Sequence, residues 1–334
     1  MEALESLPHI SRLSDRVVRV LGQNPGKFTL QGTNTYIVGT RNPYTLIDTG
    51  EGRDEYIPVI ESALKDVSPP SNPEEPDVSD IILTHRHHDH IGGLPSVLAL
   101  LRRLWETRNP HGGVSFRPPR IHKFPLPPDA QDGQVQSVLD SLAPGSFTPS
   151  SSGASLHELS EGQAIDIDTT PALQLHVLHT PGHTLDSICL HFPADNALFT
   201  ADTVLGQGTA VFEDLSTYIS SLQSILAHRD KEPGQTEYTI LYPGHGPVVT
   251  EGPKTISTYI QHRLERETQV LQVLQSSQGT WTPWAIVSKI YAAYPESLWL
   301  PASHGVILHL RKLEKDGKVK FLGGEGKDSQ WQLA

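Results

Sequence analysis

The chain has 334 residues, which is enough for one large domain or for a domain with an appendage. Its net charge is −12, whereas general nucleic-acid binders carry an excess of cations. No stretch is apolar enough for a membrane helix. The single cysteine, Cys189, excludes an internal disulfide and a thiolate zinc cage, which fits a reducing compartment. Since the N-terminus lacks an apolar run, no secretory signal is expected, and the predicted location is intracellular: the cytoplasm, with the mitochondrion as the alternative.

The first half of the chain predicts short strands joined by tight turns. Runs rich in β-branched and aromatic residues, bounded by Gly, Asn and Pro, occupy residues 16–22, 34–40 and 44–50. A helix is predicted over residues 54–65. The Pro- and acid-rich stretch that follows, over 66–80, should be an exposed and mobile loop.

A dense polar cluster follows the next predicted strand, DIILTH, at residues 80–85. The sequence THRHHDHIGG, at 84–93, places four histidines and one aspartate within seven positions, and a helix is predicted over 92–105. Histidine is the commonest metal ligand, although a polar loop in a chain with 17 histidines can carry several by composition alone. A polar cluster between a strand end and a helix is the usual site geometry of an α/β architecture.

The stretch from residue 106 to residue 162 loses this regularity and is rich in Pro, Gly and Ser. It is predicted to be a surface insertion near the site and a candidate lid. Its histidines, His111, His122 and His157, are expected to be solvated and not to bind a metal.

Later strand ends supply further residues of the metal-ligand type. Strands are predicted over 173–184, 187–192, 197–202 and 238–246, and helices over 215–227 and 254–275. Three of the four strands run into a turn that carries one such residue: His183 in TPGHT, Asp202 in FTADT and His245 in YPGHG. Glycines beside the two histidines let the backbone approach a buried ion closely.

Together these turns supply seven nitrogen or oxygen ligands, which are enough for two neighbouring metal ions: His85, His87, Asp89, His90, His183, Asp202 and His245. The order H-x-H-x-D-H, followed by H, D and H, resembles the metallo-β-lactamase superfamily over most of the chain. The neighbouring His88 and His179 fall outside the pattern and are expected to have structural roles.

The resemblance implies a fold and a role for each of these residues. The implied fold is α/β, an αββα sandwich of two mixed sheets with helices outside and the metals at one edge. His85, His87 and His183 would hold the first metal, and Asp89, His90 and His245 would hold the second, with Asp202 bridging both. Asp48, which ends the run YTLID, would support the site by a hydrogen bond to a ligand histidine.

The ligand types indicate the metal and the class of reaction. Neutral imidazoles with carboxylates and no thiolate suit zinc, so two zinc ions per chain are expected. Such a pair would share a hydroxide of lowered pKa that attacks a carbonyl or phosphoryl centre, with Asp89 also orienting it. The prediction is a metal-dependent hydrolase. Redox chemistry is not expected, since the diiron branch of the superfamily has Glu where this chain has His87.

Two longer stretches narrow the resemblance to the β-lactamase-like protein 2 subgroup. They are residues 24–40 and 205–222. The subgroup contains a mitochondrial endoribonuclease specific for single strands, and fungal thioesterases that release aromatic polyketides from an acyl carrier protein. The implied substrates are therefore an acyl thioester on a carrier protein or, as the alternative, single-stranded RNA.

The C-terminal part reads as helix, helix and β-ribbon, and it resembles a small winged-helix module. We predict a catalytic domain over 1–278 and this module over 279–334. The second helix and its turn carry the cations Arg311, Lys312, Lys315 and Lys318, which could clamp nucleic acid. Two acidic residues interrupt that run, so a structural cap is the favoured interpretation.

The overall charge decides between the substrates at this stage. The acidic balance and the lack of a basic stripe favour a thioesterase over an endoribonuclease. A binding protein that has lost catalysis is a third interpretation, which the complete ligand set disfavours.

Overall fold

The computed structural model describes residues 4–111, 114–127, 129–130, 132–167, 173–228 and 238–334. Within these ranges the strands form two large β-sheets and one short hairpin. Neighbours in the first sheet follow chain order: β1 (Ile10–Arg12), β2 (Val17–Leu21), β3 (Asn34–Val38), β4 (Tyr44–Ile47), β5 (Val78–Leu83), β6 (Arg120–Lys123) and β7 (His157–Glu158). Strands β1 to β4 pair antiparallel, whereas β4 to β7 pair parallel.

The second sheet also keeps chain order: β8 (Ala164–Asp166), β9 (Gln174–His179), β10 (Ile188–Phe192), β11 (Ala197–Ala201) and β12 (Ile240–Pro243). Strands β8 to β11 pair antiparallel, and β11 and β12 pair parallel. Because β11 and β12 run in the same direction, their carboxyl ends reach the same edge of the sheet.

The helices of the described residues are α1 (Tyr56–Ser62), α2 (His88–Ile91), α3 (Leu94–Arg108), α4 (Gly133–Asp140), α5 (Leu215–His228), α6 (Gly252–Gln275), α7 (Pro283–Ile290) and α8 (Trp299–Lys315). A π-helical turn extends α1 to residue 67. None of these helices combines the length and the apolar character that crossing a bilayer requires.

The two sheets are buried on both faces, which produces a four-layer sandwich. Along β2, Val17 packs into a core shared with the second sheet, whereas Val18 and Val20 face a core shared with α1 and α3. Along β10 and β11, Cys189 and Leu198 pack on the opposite side, against α5 and α6. Strands covered on both faces are rich in apolar residues, because alternate side chains enter different cores. The predicted αββα sandwich is confirmed.

The C-terminal residues build a module with its own apolar core against the end of α6. Helices α7 and α8 pack together with the antiparallel strands β13 (Val319–Gly323) and β14 (Gln330–Leu333). Val270 and Leu274 of α6 share this core with Val306 and Leu310 of α8. The predicted order of helix, helix and β-ribbon is confirmed.

The prediction of a surface insertion over 106–162 is wrong for its middle part. Strand β6 lies inside the first sheet between β5 and β7, and its Ile121 is fully buried. Prolines on both sides of this four-residue strand hid it, since proline is typical of loops and sheet edges. His122 of β6 is buried against Asp80 of β5, so the expectation that it is solvated is also wrong.

Candidate metal centre

The seven predicted ligands converge at the edge where the strands of both sheets end. His85 follows β5, and the short helix α2 presents Asp89 and His90. From the second sheet, His183 follows β9, Asp202 follows β11 and His245 follows β12. The side chain of Asn34 on β3 joins the two sheets here, because its amide nitrogen donates to the carbonyl oxygens of Pro243 and Gly246.

Three imidazoles form the first group. The Nε2 atom of His85 lies 3.1 Å from Nδ1 of His87 and 3.2 Å from Nε2 of His183, and the last two nitrogens are 3.0 Å apart. Three nitrogens around one tetrahedral zinc ion, bonded at about 2.0–2.1 Å, stand roughly 3.3 Å from each other. The spacing of the three rings therefore suits three ligands of one ion.

A second group lies next to the first. The Nε2 atoms of His90 and His245 lie 3.3 and 3.2 Å from Oδ2 of Asp89. The carboxylate of Asp202 reaches both groups, because its Oδ2 lies 3.3 Å from Nε2 of His245 and 3.6 Å from that of His183. Asp202 therefore occupies the position that a ligand bridging two ions would need.

Hydrogen bonds to groups outside the cluster show which ring nitrogen of His90 and His183 can bind a metal. The Nδ1 atom of His90 lies 2.7 Å from Oδ2 of Asp48, and the Nδ1 atom of His183 lies 2.7 Å from the carbonyl oxygen of Val211. Carboxylate and carbonyl oxygens only accept, so each Nδ1 carries the proton. Each Nε2 therefore faces the cluster as the nitrogen that can bind a metal, as in metal-ligating histidines.

Asp48 connects three parts of the site. Besides His90, its carboxylate accepts from the backbone nitrogen and the hydroxyl of Thr84, each at 2.8 Å. Its backbone has a φ of +59°, a left-handed conformation that costs free energy in residues other than glycine. Because the carboxylate is buried and fully engaged, Asp48 acts by positioning His90 and the strand end at Thr84.

The electrostatics of the cluster act differently on its members. At His90 and His245, burial lowers the pKa, but the neighbouring carboxylates outweigh it and raise the pKa above the ordinary value, so a metal ion must displace a proton there. Burial, together with the neighbouring His90 and His183, lowers the pKa of His85 well below its ordinary value, which leaves that ring neutral. Burial opposes the charge of Asp202, but His245 and His90 outweigh it and hold the carboxyl pKa well below the usual range. The cluster therefore offers a neutral imidazole and an ionised carboxylate at neutral pH.

Two buried atoms of the cluster lack a hydrogen-bond partner among the described residues, and this observation tests whether a metal fits. They are Nε2 of His90 and Oδ1 of Asp202, which lie 3.4 Å apart. Buried polar atoms without partners are rare in folded proteins. A cation between the two atoms would satisfy both, so the residues present fit a divalent metal ion.

A comparison with protein families places the chain. The description "Metallo-beta-lactamase superfamily" matches residues 28–245, and the description "Beta-lactamase associated winged helix domain" matches residues 282–331. The first match alone covers more than half of the chain. The chain belongs to the metallo-β-lactamase superfamily.

Relatives and solved structures of the superfamily agree with this assignment. The chain is 37% identical to a β-lactamase-like protein 2 homolog of Drosophila melanogaster, over 94% of this chain and 93% of the relative. It is 35% identical to an atrochrysone carboxyl ACP thioesterase of Aspergillus novofumigatus, over 95% of this chain and 84% of that protein. A β-lactamase domain protein from Burkholderia ambifaria has the same fold, with a TM-score of 0.68 at 17% identity over 99% of this chain and 96% of that one.

These findings establish the class of the protein. A metallo-β-lactamase superfamily member with relatives named as thioesterases is a hydrolase. The two groups of His and Asp side chains supply a site for a divalent metal.

The histidines expected outside the ligand set lie outside both groups. His88 is exposed, and the ring of His179 stacks on Phe124 and bonds to the carbonyl oxygen of Leu185. His157 bonds to the carbonyl oxygen of Thr148, and His111 is exposed. The structure therefore brings together the seven predicted ligands and leaves these four histidines apart from them.

Two supporting interactions of this metallo-β-lactamase site were not predicted. Lys123 of β6 forms a buried ion pair with Asp186, in the turn that carries His183. The hydroxyl of Thr33 donates to Oδ2 of Asp89 at 3.0 Å. The sequence did not predict the ion pair of Lys123, because its partner Asp186 lies 63 positions away. Only the packing of the two sheets brings the two side chains together.

Close backbone approach at one glycine also shapes the site. A Cβ atom on Gly244 would lie 2.3 Å from Oδ1 of Asp202 and 3.0 Å from the ring of His90. Only glycine leaves room for the carboxylate at this position. Gly244 therefore has a packing role. From the sequence we predicted only that this glycine lets the backbone approach a buried ion.

Mainly apolar side chains surround the opening of the site. A cavity of about 390 Å³ reaches His87, Asp89 and His183, and its outer walls include Phe28, Leu30, Leu205 and Val211. Phe28 is 70% exposed and Val211 is 60% exposed. Of the described residues that line this cavity, which we call the metal cleft, Lys27 is the one lysine or arginine.

Proposed function

We propose that the protein is a thioesterase that releases an acyl chain from an acyl carrier protein. The observation that carries the proposal is the exposed apolar wall of the metal cleft, formed by Phe28, Leu30 and Val211. Exposed apolar surface beside polar reactive groups is typical of a site for an apolar substrate. The thioesterase names of several relatives support the same substrate class.

We further propose that the site holds two zinc ions. His85, His87 and His183 would bind the first ion, whereas Asp89, His90 and His245 would bind the second. Asp202 would bridge the two ions. Imidazole and carboxylate ligands without thiolate support this choice of metal.

Divalent ions bound there supply Lewis acidity, which lowers the pKa of a water and stabilises negative charge as it develops. The chain's own residues place the reactants. The carboxylate of Asp89, held by the hydroxyl of Thr33, faces the metal cleft and can accept a proton from the attacking water. Water adds to the thioester carbonyl carbon, the carbon–sulfur bond breaks, and the leaving thiolate takes up a proton.

The alternative, cleavage of single-stranded RNA, is less well supported by the charges. Three of the four cations predicted as a clamp have carboxylate partners: Lys312 and Lys318 pair with Glu267, and Lys315 pairs with Asp214. Backbone phosphates need cations that are not already neutralised, because release of counterions drives their binding. Together with the net charge of −12, these pairs favour the thioester.

Turnover of two substrates in parallel tests the proposal. Zinc-replete protein is incubated with a long-chain acyl thioester on a carrier protein and, separately, with a single-stranded RNA. We expect released acid and free carrier thiol, with no RNA cleavage that survives physiological salt. RNA cleavage without thioester hydrolysis would overturn the proposal.

A substitution in the wall of the metal cleft tests the role of the apolar surface. Phe28→Ser should lower kcat/KM for a long-chain thioester by about 10-fold or more, since burial of a Phe side chain contributes about 1.5–3 kcal/mol. An acetyl thioester, which cannot reach the wall, should be affected little. Leu264→Ser is the matched control, because Leu264 is also exposed but lies outside the metal cleft. Equal losses for both thioesters would contradict the assigned role.

A further inference from the structure

A second cavity adjoins the metal cleft. It has a volume of about 460 Å³ and lies between α6, α8 and the segment that walls the metal cleft. Thr209 lines both cavities, so they meet at this residue. We call the second one the α6–α8 cavity. Its lining includes Phe212, Arg263, Arg266 and His309.

Two arginines on α6 present guanidinium groups to this cavity. The guanidinium of Arg263 lies 4.8 Å from the ring of Phe212, and that of Arg266 lies 4.5 Å from the ring of Tyr291. Among the described residues neither forms an ion pair with a carboxylate, and Nε of Arg263 is buried without a hydrogen-bond partner. Aromatic contacts and, for Arg263, a hydrogen bond of 3.0 Å to the carbonyl oxygen of Ala210 hold the two groups in place without neutralising their charge.

A buried histidine completes the cluster. His309 of α8 is only 2% exposed, lines the cavity, and has no hydrogen-bond partner for its Nδ1 atom among the described residues. Burial, together with Arg263, Arg266 and Lys312, lowers the pKa of His309 to about 3. The ring is therefore neutral at pH 7 and lies in a region of positive potential. Its Nδ1 atom is available for a hydrogen bond to a ligand in the cavity.

One carboxylate also lines the cavity, and it is engaged elsewhere. Oε1 of Glu265 accepts a hydrogen bond of 2.7 Å from the side chain of Gln261 on the same helix. The charge of Glu265 remains, but Arg263 and Arg266 outnumber it, so the lining carries an excess of positive charge that favours an anion. Guanidinium groups bind phosphate oxygens through pairs of parallel hydrogen bonds.

We propose that the α6–α8 cavity binds the phosphate of a phosphopantetheine arm whose thioester lies in the adjoining metal cleft. This inference rests on the proposed thioesterase function. A carrier protein and coenzyme A present the same phosphate and the same thiol-bearing arm, so both have the chemistry that the cavity recognises. The arm would pass Thr209, where the two cavities meet. The C-terminal winged-helix module would thus contribute His309 to the substrate site.

Kinetics with two thioesters that differ only in the phosphate test the inference. The zinc-replete full chain is assayed with acyl-4′-phosphopantetheine and with the same acyl-pantetheine. We expect the phosphorylated thioester to have a KM at least about tenfold lower, the effect of one hydrogen-bonded charge pair. Arg266→Gln should remove this difference in KM, and Arg266→Lys should restore part of it. Arg311→Gln is the matched control, because Arg311 is an exposed cation of α8 that lines a different cavity.

Calorimetric titration with unacylated 4′-phosphopantetheine provides a readout that does not depend on hydrolysis. Arg266-dependent binding without any thioester turnover would support the anion site and overturn the proposed function. Turnover with equal KM values for the two thioesters would overturn the anion site and support the proposed function. Displacement of 4′-phosphopantetheine by a single-stranded oligoribonucleotide, in an Arg266-dependent way, would identify RNA as the occupant and overturn the inference. Parallel assays with acyl-coenzyme A and an acyl carrier protein show which donor uses the site.

Discussion

The carboxylate of Asp202 faces both groups of candidate ligands, and this position makes it the most sensitive single residue of the centre. Its two oxygens lie within 3.3–3.6 Å of imidazole nitrogens from His90, His183 and His245. Asp202→Ala should therefore release both ions and lower turnover by more than about 100-fold, the upper end of losses at groups that only support a metal. Elemental analysis together with thioester turnover measures both effects.

His88 is the matched control for this substitution. It lies in the same dense sequence, but its side chain is exposed and belongs to neither group of ligands. His88→Ala should keep the metal content and turnover close to those of the unchanged protein. Comparable losses for the two variants would show that the ligand positions in this sequence are assigned incorrectly.

A substitution of Asp48 tests the role of a residue that holds a metal ligand in place by a hydrogen bond. Asn has nearly the same size and tolerates the left-handed φ of +59°, so Asp48→Asn should fold normally. An amide accepts only through its oxygen, so it cannot accept from both Nδ1–H of His90 and the backbone N–H of Thr84, and its NH2 group faces one of these donors. We expect about a 10–100-fold loss of metal affinity, measured by competition with a chelator. Unchanged affinity would contradict the positioning role of Asp48.

At the residue scale, the sequence predicted those site residues that lie together in a short motif. His85 to His90 lie in one turn, and the remaining candidate ligands each stand beside a distinctive glycine or threonine at a strand end. Lys123 with Asp186 and Arg263 with His309 gave no such signal. Their partners come from distant segments, and a lone charged residue in a sequence is typical of a solvated surface.

At the scale of single elements, strands β5 and β6 are joined by a buried ionic contact that makes stability depend on pH. Burial alone would raise the pKa of Asp80, but hydrogen bonds from His122 and Arg120 outweigh it and lower that pKa to about 2. The unfolded value is about 3.9, so this stabilisation is present above about pH 4 and is lost as the pH falls towards 2.

Asp80→Asn measures this contribution. The variant should unfold more easily than the unchanged protein by about 2 kcal/mol above pH 4, and the difference should shrink as the pH falls. Chemical unfolding of both proteins at a series of pH values gives the two curves. A constant difference at all pH values would exclude the ionised carboxylate as the source of the stabilisation.

Helix α8 carries two lysines in different environments, and they make a matched pair. The side chain of Lys312 is 13% exposed and pairs with Glu267 of α6, whereas that of Lys315 is 57% exposed and pairs with Asp214. Lys312→Ala should lower the free energy of unfolding by about 1–3 kcal/mol, because it removes one of the two lysines that pair with the buried carboxylate of Glu267 and leaves only Lys318. Lys315→Ala should cost less than about 1 kcal/mol. Chemical unfolding checks both values, and equal costs would contradict the difference in burial.

The strands that the sequence predicted differ in length and in flanking residues from the strands that it did not predict. Strands β2 to β5 and β9 to β12 are apolar runs, so their composition alone predicted them. Strands β6 and β7 have four and two residues, and β6 stands among prolines. β6 takes its hydrogen bonds from β5, and β7 takes its own from β6, and such tertiary contacts leave no mark on the local sequence.

At the scale of the whole molecule, two sheets with helices on each outer side bring the centre together, and a C-terminal module packs against the end of α6. The four-layer sandwich could be predicted because the ligand pattern resembles one superfamily, whereas the strand pattern by itself was compatible with other α/β folds. The division of the chain after residue 278 stays a prediction, and that position lies between α6 and α7. The cytoplasmic or mitochondrial location also stays a prediction.

Stepwise zinc titration of metal-free protein tests the central claim, that seven converging side chains hold two ions which drive thioester hydrolysis. Thioester turnover and bound zinc are measured on the same samples as zinc is added. We expect turnover to rise with bound zinc and to level off at about two equivalents per chain, the number that two adjacent groups of ligands imply. Full thioesterase activity in a preparation without any bound transition metal would contradict the claim.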